Sequence, residues 1–411
     1  MISEESVQKT IGIAGPVSVA PFRHLLDKSA TIPQTFSFPL IGVLARELHS
    51  RGYQVVVFAA SLEILSPEHF LGDGIELIVC PLRKKRAAYD WWRVERRHLV
   101  EAMKSSRCDI IHAHWTYEFA AAAMESGHPH LITAHDSPAA IFSQFLPTRF
   151  APYWTFRTIF GAWVIRRATA MTTVSPYCRD HIRKILHPRC AISVVPNGIE
   201  SQFTKAGEAR LESGVSDGPP VIASVMDGFG RRKNASTALR AFALFRREFP
   251  DARYLIFGTS YGEGEEAHRW ALAHGLSAGV EFRGRTPQEV MFPELLTRAH
   301  LFLHPSVEES FGMAPLEAMA LGIPVIGGRN SGGVPYVLNE GNAGLLVDVK
   351  SPRAVAAALR SFWLAPLQRE EFARRGWNRA RTAFSLERMV DSYEAEYRRV
   401  LSTQAGSGGG A

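Results

Sequence analysis

The sequence contains few cysteines and no metal-binding pattern. Its four cysteines among 411 residues are Cys80, Cys108, Cys178 and Cys190, and they form neither a CxxC pair nor a Cys/His cluster. A DxD triplet and an HExxH motif are both missing. We therefore expect reduced thiols, no metal site and no cofactor.

Long hydrophobic runs are also missing. No apolar stretch reaches the ~18 residues that a membrane-spanning helix requires. Residues 1–15 lack a charged segment followed by a long apolar one, so we predict no secretory signal and a cytoplasmic protein. A hydrophobic content of 46% with 21% charged residues is typical of a globular protein, and 411 residues are enough for two domains.

The net charge of +7 is concentrated in the first half of the chain. Residues 1–205 hold 23 Lys/Arg against 17 Asp/Glu, whereas the remainder holds 24 against 23. A positive surface of this kind suits an anionic membrane or a polyanionic acceptor. Nucleic acid is a poor candidate partner, because no recognised binding module accompanies the basic residues.

Short β-branched runs alternate with longer helical patterns, which indicates parallel sheets with crossover helices. We predict an α/β fold of two Rossmann-like, doubly wound domains at residues 1–200 and 219–385, joined by a polar linker at 201–218. A helix over 386–402 is a candidate to pack on the first domain, and residues 403–411 form a predicted flexible tail. The predicted strands are 11–17, 54–60, 75–80, 109–114, 131–135, 170–175 and 192–196, then 221–226, 253–258, 280–283, 300–304, 323–327 and 344–347.

The segment ESFGMAPLEAMALGIPVIG, which begins at Glu309, is the most informative part of the chain. It places Glu309 and Glu317 around a loop that opens a short helix, with Pro315 suited to the first helical position and Gly322 to the exit. Free amides at a helix N-terminus bind phosphate, and carboxylates can accept hydrogen bonds from sugar hydroxyls. We therefore expect a nucleotide sugar, although Glu317 could instead cap the helix.

Three cations, Arg231, Arg232 and Lys233, precede a second helix whose predicted N-cap is Asn234. The helix dipole disfavours cations at this position unless an anion lies between them, and a diphosphate is such an anion. The alternative is a solvated basic turn. The presence of the Glu309 segment favours diphosphate binding.

A predicted strand carries His135 at its carboxyl end, followed by Asp136. Ligands of parallel sheets bind at this edge, so His135 can donate or accept a hydrogen bond with a sugar or phosphate oxygen. The alternative is a helix-cap region in which Asp136 is the cap and the histidine is structural. His112 and His114 share one face of the preceding strand, and packing is favoured over a metal pair because no third ligand lies nearby in the sequence.

Several segments together resemble glycosyltransferase family 4. They are EESFGMAPLEAMALGIPVIG, LITAHD, DIIHAHW, VVPNGIE at 194–200 and MVDSYEAEYRRVL at 389–401. The resemblance implies the GT-B fold, with two Rossmann-like domains facing across a cleft. It also implies a metal-independent, retaining transferase whose donor substrate is a nucleotide-diphosphate sugar.

The resemblance implies a role for each site residue. His135, Lys233 and Glu309 would be catalytic, with Lys233 on the diphosphate, Glu309 beside the donor sugar and His135 facing the transferred sugar. Glu317 would bind the nucleotide ribose. Asp136 and Asn197 would lie on the acceptor side. The implied donor-binding residues are Gly15, Arg231, Arg232, Lys233, Glu309, Ser310, Phe311, Gly312, Met313, Ala314 and Glu317.

Two positions depart from the family pattern. The family often has an arginine five residues before the phosphate-binding lysine, where this chain has Gly228. Arg231 or Arg232 is expected to replace it. The first loop lacks the paired glycines of the family, which leaves Gly15 as the candidate for close backbone approach.

The resemblance predicts sugar transfer to a glycan or lipid-linked acceptor, as in polysaccharide or cell-envelope synthesis. Two alternatives are a non-catalytic protein that keeps the nucleotide-sugar site, and an epimerase or phosphorylase of the same fold. Aromatic and basic residues at 83–97 and 150–167 add a hypothesis of peripheral contact with the inner face of an anionic membrane. Their alternative role is a core helix with a solvated basic edge.

Overall fold

A computed structural model of the chain describes residues 9–36, 38–84, 87–146, 148, 150–215 and 218–407, without the side chains of residues 404–407. The described residues form two compact units. The first unit contains the chain up to Pro196 together with the chain from Glu387 onward, and the second unit is Asn197–Leu386. The predicted boundary at residue 200 falls close to this division.

The first unit is built on an eight-stranded sheet within the described residues. Its strands are β1 (Thr10–Ala14), β2 (Gln54–Ser61), β3 (Glu68–Leu71), β4 (Ile75–Pro81), β5 (Ile110–His114), β6 (His130–Ala134), β7 (Met171–Thr173) and β8 (Ile192–Val194). Its helices are α1 (Pro39–Ser50), α2 (Arg93–Ser105), α3 (Glu118–Ser126), α4 (Pro138–Gln144), α5 (Ala151–Arg167), α6 (Pro176–Leu186) and the last helix of the chain, α15 (Leu386–Ser407).

The strand order of this sheet is β3-β4-β2-β1-β5-β6-β7-β8. All neighbours pair in parallel except β3, a short strand that the sequence pattern did not predict and that pairs antiparallel to β4. The order reverses between β1 and β5. In doubly wound sheets this switch point is where ligands bind, at the carboxyl ends of the strands.

Burial explains why these segments are strands. The sequence of β2, QVVVFAAS, is buried along nearly its whole length, as expected for a parallel strand that is covered on both faces. Phe58 of this strand belongs to a core cluster with Trp92 and Phe160, which helices supply from one face of the sheet. The apolar runs of the sequence therefore define the sheet directly.

The second unit contains a six-stranded parallel sheet of order β11-β10-β9-β12-β13-β14. Its strands are β9 (Val221–Val225), β10 (Arg253–Phe257), β11 (Val280–Gly284), β12 (Leu301–His304), β13 (Val325–Gly328) and β14 (Leu345–Val347). Its helices are α7 (Ser201–Ser213), α8 (Ala235–Arg246), α9 (Glu266–Ala273), α10 (Gln288–Arg298), α11 (Met313–Ala320), α12 (Val334–Val337), α13 (Pro352–Leu364) and α14 (Pro366–Ala383). Here the switch point lies between β9 and β12.

The predicted linker at 201–218 is wrong, because residues Ser201–Ser213 form helix α7. The buried face of this helix carries Phe203, Gly207 and Arg210. A Cβ atom at Gly207 would lie 2.0 Å from the carbonyl oxygen of Ala320, so the glycine permits close contact with α11.

The guanidinium of Arg210 donates to the carbonyl oxygens of residues 296, 299 and 322, and burial lowers its pKa to about 10. A narrow stripe of this kind has too few apolar residues to be recognised as a helix from hydrophobicity. Residues 216 and 217 of the predicted linker lie outside the described residues.

Helix α15 packs on the first unit. The hydroxyl of Tyr397 lies 2.8 Å from Nδ1 of His112, and the hydroxyl of Tyr393 lies 3.5 Å from Oγ1 of Thr133. Arg51 of the first unit forms an ion pair of 2.7 Å with Asp391. The helix extends to residue 407, so the predicted tail is helical over 403–407, whereas residues 408–411 lie outside the described residues.

The aromatic residues of the predicted membrane segments divide between the core and the surface, where Tyr89, Phe150 and Tyr153 are exposed. Trp92 and Phe160 are buried, and Trp91 packs against the same cluster. Two basic residues of these segments, Lys85 and Arg86, lie outside the described residues. Packing therefore accounts for much of the aromatic pattern, and membrane contact stays a prediction.

Among the described residues, none of the helices combines the length and the apolar character that crossing a membrane requires.

We predict that Tyr397→Phe loosens helix α15. The variant leaves Nδ1 of the buried His112 without its partner, which costs about 1–3 kcal/mol. Hydrogen exchange of the α15 backbone amides should accelerate accordingly. Tyr393→Phe is the matched control, because its hydroxyl makes only the longer contact with Thr133. Equal acceleration in the two variants would contradict the assigned role of the Tyr397 hydroxyl.

Candidate active site

Two loops of the second unit meet at its topological switch point. The loop after β9 carries Arg231, Arg232 and Lys233, and the loop after β12 carries Glu309 and leads into helix α11. Because β9 and β12 are parallel neighbours, their carboxyl ends lie at the same edge of the sheet. The fold therefore places the predicted cationic and acidic segments side by side.

An ion-pair cluster joins these loops. The Nζ atom of Lys233 lies 2.6 Å from Oε1 of Glu309, and Nη1 of Arg232 lies 3.4 Å from Oε2. Nε2 of His304, the last residue of β12, lies 3.4 Å from Oε1. Burial raises the pKa of Glu309, but Lys233, with smaller contributions from His304 and Arg232, outweighs burial and holds this pKa well below its usual range. Glu309 is therefore ionised at every physiological pH.

The two loops are also held by neutral hydrogen bonds. The amide of Val307 donates to the carbonyl oxygen of Arg232 at 2.8 Å. The side-chain amide of Asn234 donates to the carbonyl oxygens of Pro305 and Val349 at 3.1 and 2.8 Å. Asn234 occupies the N-cap position of α8 as predicted, but its side chain makes no capping bond because it crosses to the other loop. The site is thus braced before any ligand binds.

Glu317 lies deeper in helix α11 than the sequence suggested. The helix begins at Met313, so Pro315 is the third helical residue rather than the first, and Glu317 is the fifth. At this position it cannot cap the helix N-terminus, which removes the alternative role. Burial raises its pKa to about 7, and among the described residues no hydrogen bond or ion pair reaches its carboxyl group. A carboxyl group in this state is suited to accept a hydrogen bond from a ligand hydroxyl.

The residues between the two glutamates shape the entry of helix α11. Gly312 has a φ of 112°, in the left-handed region that favours glycine, and is followed by the first-turn amides of Met313 and Ala314. These amides have no carbonyl partner within the helix. The ring of Phe311 is buried and contacts Phe384 edge-on at 5.5 Å, so its side chain anchors the loop. Ser310 lies beside it at the partly exposed surface.

The geometry distinguishes the two arginines. Arg231 is exposed and forms no ion pair among the described residues, whereas Arg232 is partly buried and approaches Glu309. Gly228, where the family often has an arginine, has a φ of 79°, and an arginine would be strained there. Arg232 is therefore the better replacement for the family arginine.

The first unit gathers three histidines on one face of its sheet. Nδ1 of His114 lies 2.9 Å from Nε2 of His135, which follows β6. His112 bonds to Tyr397 and, at 2.7 Å, to Thr133, so it packs within the unit, as favoured from the absence of a third ligand nearby in the sequence. Burial lowers the pKa of His135 to about 3 and the pKa values of His112 and His114 well below their usual range. Among the described residues no group of three His, Cys, Asp or Glu side chains could hold a metal ion.

The remaining predicted residues are placed as follows. Gly15 follows β1, and a Cβ atom there would lie 3.0 Å from Cβ of His114. Asp136 accepts a hydrogen bond of 3.1 Å from the indole N–H of Trp115. Asn197, predicted on the acceptor side, is the first residue of the second unit, and its buried Oδ1 has no partner among the described residues.

Sequence reasoning missed three residues near these sites. His304 ends β12 and could have been found by the argument used for His135. The centre of the Trp115 ring lies 4.4 Å from that of His135, and the backbone of Trp115 has a φ of 64°. Arg157 of α5 places its guanidinium 3.7 Å from the centre of the Tyr117 ring, and its signal was hidden in the aromatic stretch that suggested a membrane segment.

Two family models match consecutive parts of the chain. The model of glycosyltransferase family 4 matches residues 41–203, and the model of glycosyl transferases group 1 matches residues 207–379. The chain belongs to the family 4-like glycosyltransferases. The match to the second model covers the two loops that hold the Lys233–Glu309 pair, which agrees with the resemblance of this segment.

Individual relatives are similar over parts of the chain. A D-inositol 3-phosphate glycosyltransferase of Segniliparus rotundus is 31% identical over 224 residues, which are 51% of this chain and 47% of the relative. The N-acetyl-alpha-D-glucosaminyl L-malate synthase of Bacillus anthracis is 27% identical over 326 residues, or 74% and 78% of the two chains. The chain thus spans about half the length of the first of these relatives.

The fold agrees with the family. The sucrose-phosphate synthase of Thermosynechococcus elongatus superposes with a TM-score of 0.75 at 18% identity, covering 96% of this chain and all of the other. This superposition and the two α/β units with parallel sheets confirm the predicted GT-B fold.

We predict that Glu317→Gln stabilises the protein in a pH-dependent way. Since burial raises the folded-state pKa of Glu317 to about 7, the folded protein binds this proton more tightly than the unfolded chain. The free energy of unfolding of the protein with Glu317 therefore falls as the pH rises from about 4.5 to about 7. That of the glutamine variant does not fall for this reason. The advantage of the variant should be absent at pH 4 and reach about 1–3 kcal/mol above pH 7.

Chemical unfolding at several pH values measures this difference. Glu208→Gln, on the exposed face of α7, is the control and should show no such pH dependence. A stability advantage of Glu317→Gln that stays constant between pH 4 and pH 8 would contradict the conclusion that burial raises the pKa of Glu317.

Proposed function

We propose that the protein is a retaining, metal-independent glycosyltransferase that transfers a sugar from a nucleotide-diphosphate sugar to a glycan or lipid-linked acceptor. One observation carries this proposal: the 2.6 Å ion pair of Lys233 and Glu309 at the switch point, beside the helix that carries Glu317. The two loops carry cations, the Glu309 carboxylate and the entry of helix α11, and Glu317 lies on that helix. A nucleotide sugar has complementary groups for all of them.

Lys233 and Arg232 act on the diphosphate. Breaking the bond between the sugar and the diphosphate gathers negative charge on the leaving group, and preorganised donors stabilise that charge most in the transition state. Lys233, Arg232 and the amides of Met313 and Ala314 supply such donors from this chain. Glu309 then exchanges its bond with Lys233 for hydrogen bonds from the donor sugar, and Glu317 accepts bonds from the ribose.

The first unit supplies the acceptor side. His135, with its neutral ring, is proposed to touch the transferred sugar, and Asp136 is proposed to lie near the acceptor. Relatives of this chain are named for inositol phosphate and malate as acceptors, and both of these are anionic. The positive charge of the first half of this chain is compatible with an acceptor that carries phosphate or lipid-linked diphosphate.

We expect Lys233→Met to weaken the binding of nucleoside diphosphates about 10- to 100-fold and to abolish most turnover. The variant removes a charge-assisted hydrogen bond worth about 1.5–3 kcal/mol. Isothermal titration calorimetry measures the binding, and donor hydrolysis or transfer measures turnover. Arg231→Met is the matched control, because this arginine is exposed and pairs with no described residue. Near-normal transfer by Lys233→Met would refute the assignment.

We expect Glu309→Gln to have opposite effects on binding and turnover. In the ligand-free protein Glu309 competes with the diphosphate for Lys233, so its neutralisation should tighten the binding of a nucleoside diphosphate about 3- to 10-fold. Turnover of the sugar donor should fall, since the contact with the sugar is lost. Weaker binding of the diphosphate alone would contradict this role for the carboxylate.

A panel of nucleoside diphosphates and their sugars identifies the donor by thermal shift, because a ligand at about 100 times its Kd stabilises the folded state by about 2.7 kcal/mol. Donor hydrolysis or transfer then excludes the non-catalytic alternative. A requirement for inorganic phosphate, or interconversion of the nucleotide sugar without transfer, would instead favour the phosphorylase or epimerase.

A further inference from the structure

His135 is part of a stack of rings that runs along one face of the first sheet. His114 of β5 pairs in register with Thr133 of β6, so His135, two residues after Thr133, continues on the same face. The ring centres of His114 and His135 are 5.2 Å apart, and the Trp115 ring lies 4.4 Å from the His135 ring. The His135 ring thus has two close ring neighbours.

The two ring nitrogens of His135 have different surroundings. Nε2 lies 2.9 Å from Nδ1 of His114. Within the described residues no hydrogen bond reaches Nδ1, and this atom is not among those sealed from solvent. Nδ1 is therefore the nitrogen of His135 that a substrate can reach.

A bond between two neutral imidazoles contains one proton, which allows two arrangements. In the first, Nδ1–H of His114 donates to Nε2 of His135, and His135 carries its own proton on Nδ1. In the second, Nε2–H of His135 donates to His114, and His114 must carry its proton on Nε2. That Nε2 atom of His114 is buried and has no partner among the described residues. The second arrangement thus buries an N–H without an acceptor, which proteins rarely tolerate.

We propose that His114 is a positioning residue that donates to Nε2 of His135 and thereby fixes the His135 proton on Nδ1. His135 then presents an N–H donor to an oxygen atom of the sugar or acceptor and does not accept a proton from it. The bond made by one ring nitrogen sets the tautomer of the other. This inference rests on the proposed function only in assigning a substrate to His135.

The surrounding residues support a fixed His114. Gly15 leaves room for it, since a Cβ atom there would lie 3.0 Å from Cβ of His114. The centre of the His112 ring lies 4.1 Å from that of His114, and His112 is itself held by Tyr397 and Thr133. His114 is only 2% exposed, so it has no direct route to a substrate and acts through His135.

Two nearly isosteric variants test the proposal. His114→Asn places an amide N–H close to the position of Nδ1 and keeps the donor, whereas His114→Leu has a similar shape and no donor. NMR of the full chain with ¹⁵N-labelled histidine reads the His135 tautomer, and His135→Gln assigns its signals. We expect Nδ1–H in the natural protein and in His114→Asn, and a shift toward Nε2–H in His114→Leu.

Transfer kinetics supply a second readout. His114→Leu should lower kcat about 10-fold with little change in the KM of the donor, and His114→Asn should recover most of this loss. His130→Asn, at the opposite end of β6, is the control for a lost, half-buried imidazole and should leave the His135 tautomer unchanged. Unchanged circular dichroism and an unchanged unfolding midpoint show that each variant is folded.

The outcomes separate the two proposals. An Nε2–H tautomer of His135 in the natural protein, or equal tautomer shifts in His114→Asn and His114→Leu, would overturn the role of His114 whatever the activity. If the tautomers follow the prediction but the natural protein neither hydrolyses nor transfers any donor, the proposed function fails and the assigned hydrogen bond stands.

Discussion

The pair of Lys233 and Glu309 is the interaction on which the second unit's site depends. A carboxylate with 13% side-chain exposure is costly unless a cation neutralises it, and here the lysine comes from a different loop. The pair exists only because β9 and β12 are neighbours at the point where the strand order reverses. The pair links the loop after β9 to the loop after β12. Under the proposed function a diphosphate would exchange with the carboxylate for Lys233, and a ligand that also offers hydroxyl groups to Glu309 would compensate for this exchange.

Two glutamates eight positions apart are driven in opposite directions by their surroundings. Lys233 holds the pKa of Glu309 low in spite of burial, whereas burial without any cation raises the pKa of Glu317 to about 7. The difference assigns them different chemistry. Glu309 is an anion at physiological pH, whereas Glu317 ionises only near neutral pH, and hydrogen bonds from a ligand hydroxyl would favour its ionised form. The same residue type is thus held in two different charge states by its surroundings, which fits the two different roles proposed for it.

The sequence predicted the strands and the two loops well, because parallel buried strands are continuous apolar runs and the loops follow directly from them. It failed where small or polar residues perform the packing. Helix α7 contacts its neighbours through Gly207 and Arg210, which carry no hydrophobic signal, so the segment resembled a linker. Asn234 has the right identity for a cap but bonds across to another loop. Arg157 was overlooked because the aromatic residues around it in the sequence suggested a membrane-contacting segment. In the structure its guanidinium instead lies over the Tyr117 ring.

The histidines of the first unit could not be interpreted from their own segment, because their partners come from the other end of the chain. Tyr397 of α15 is separated from His112 by 285 residues, yet it satisfies one of that ring's two nitrogens. Without the helix, this face of the sheet would expose His112 and Thr133 to water, and the stack that positions His114 and His135 would lose its inner support. The environment of His112 is therefore set in part by helix α15. The pairing of β5 with β6 aligns the histidines, and α15 supplies the hydrogen-bond partner that the sheet itself does not offer to Nδ1 of His112.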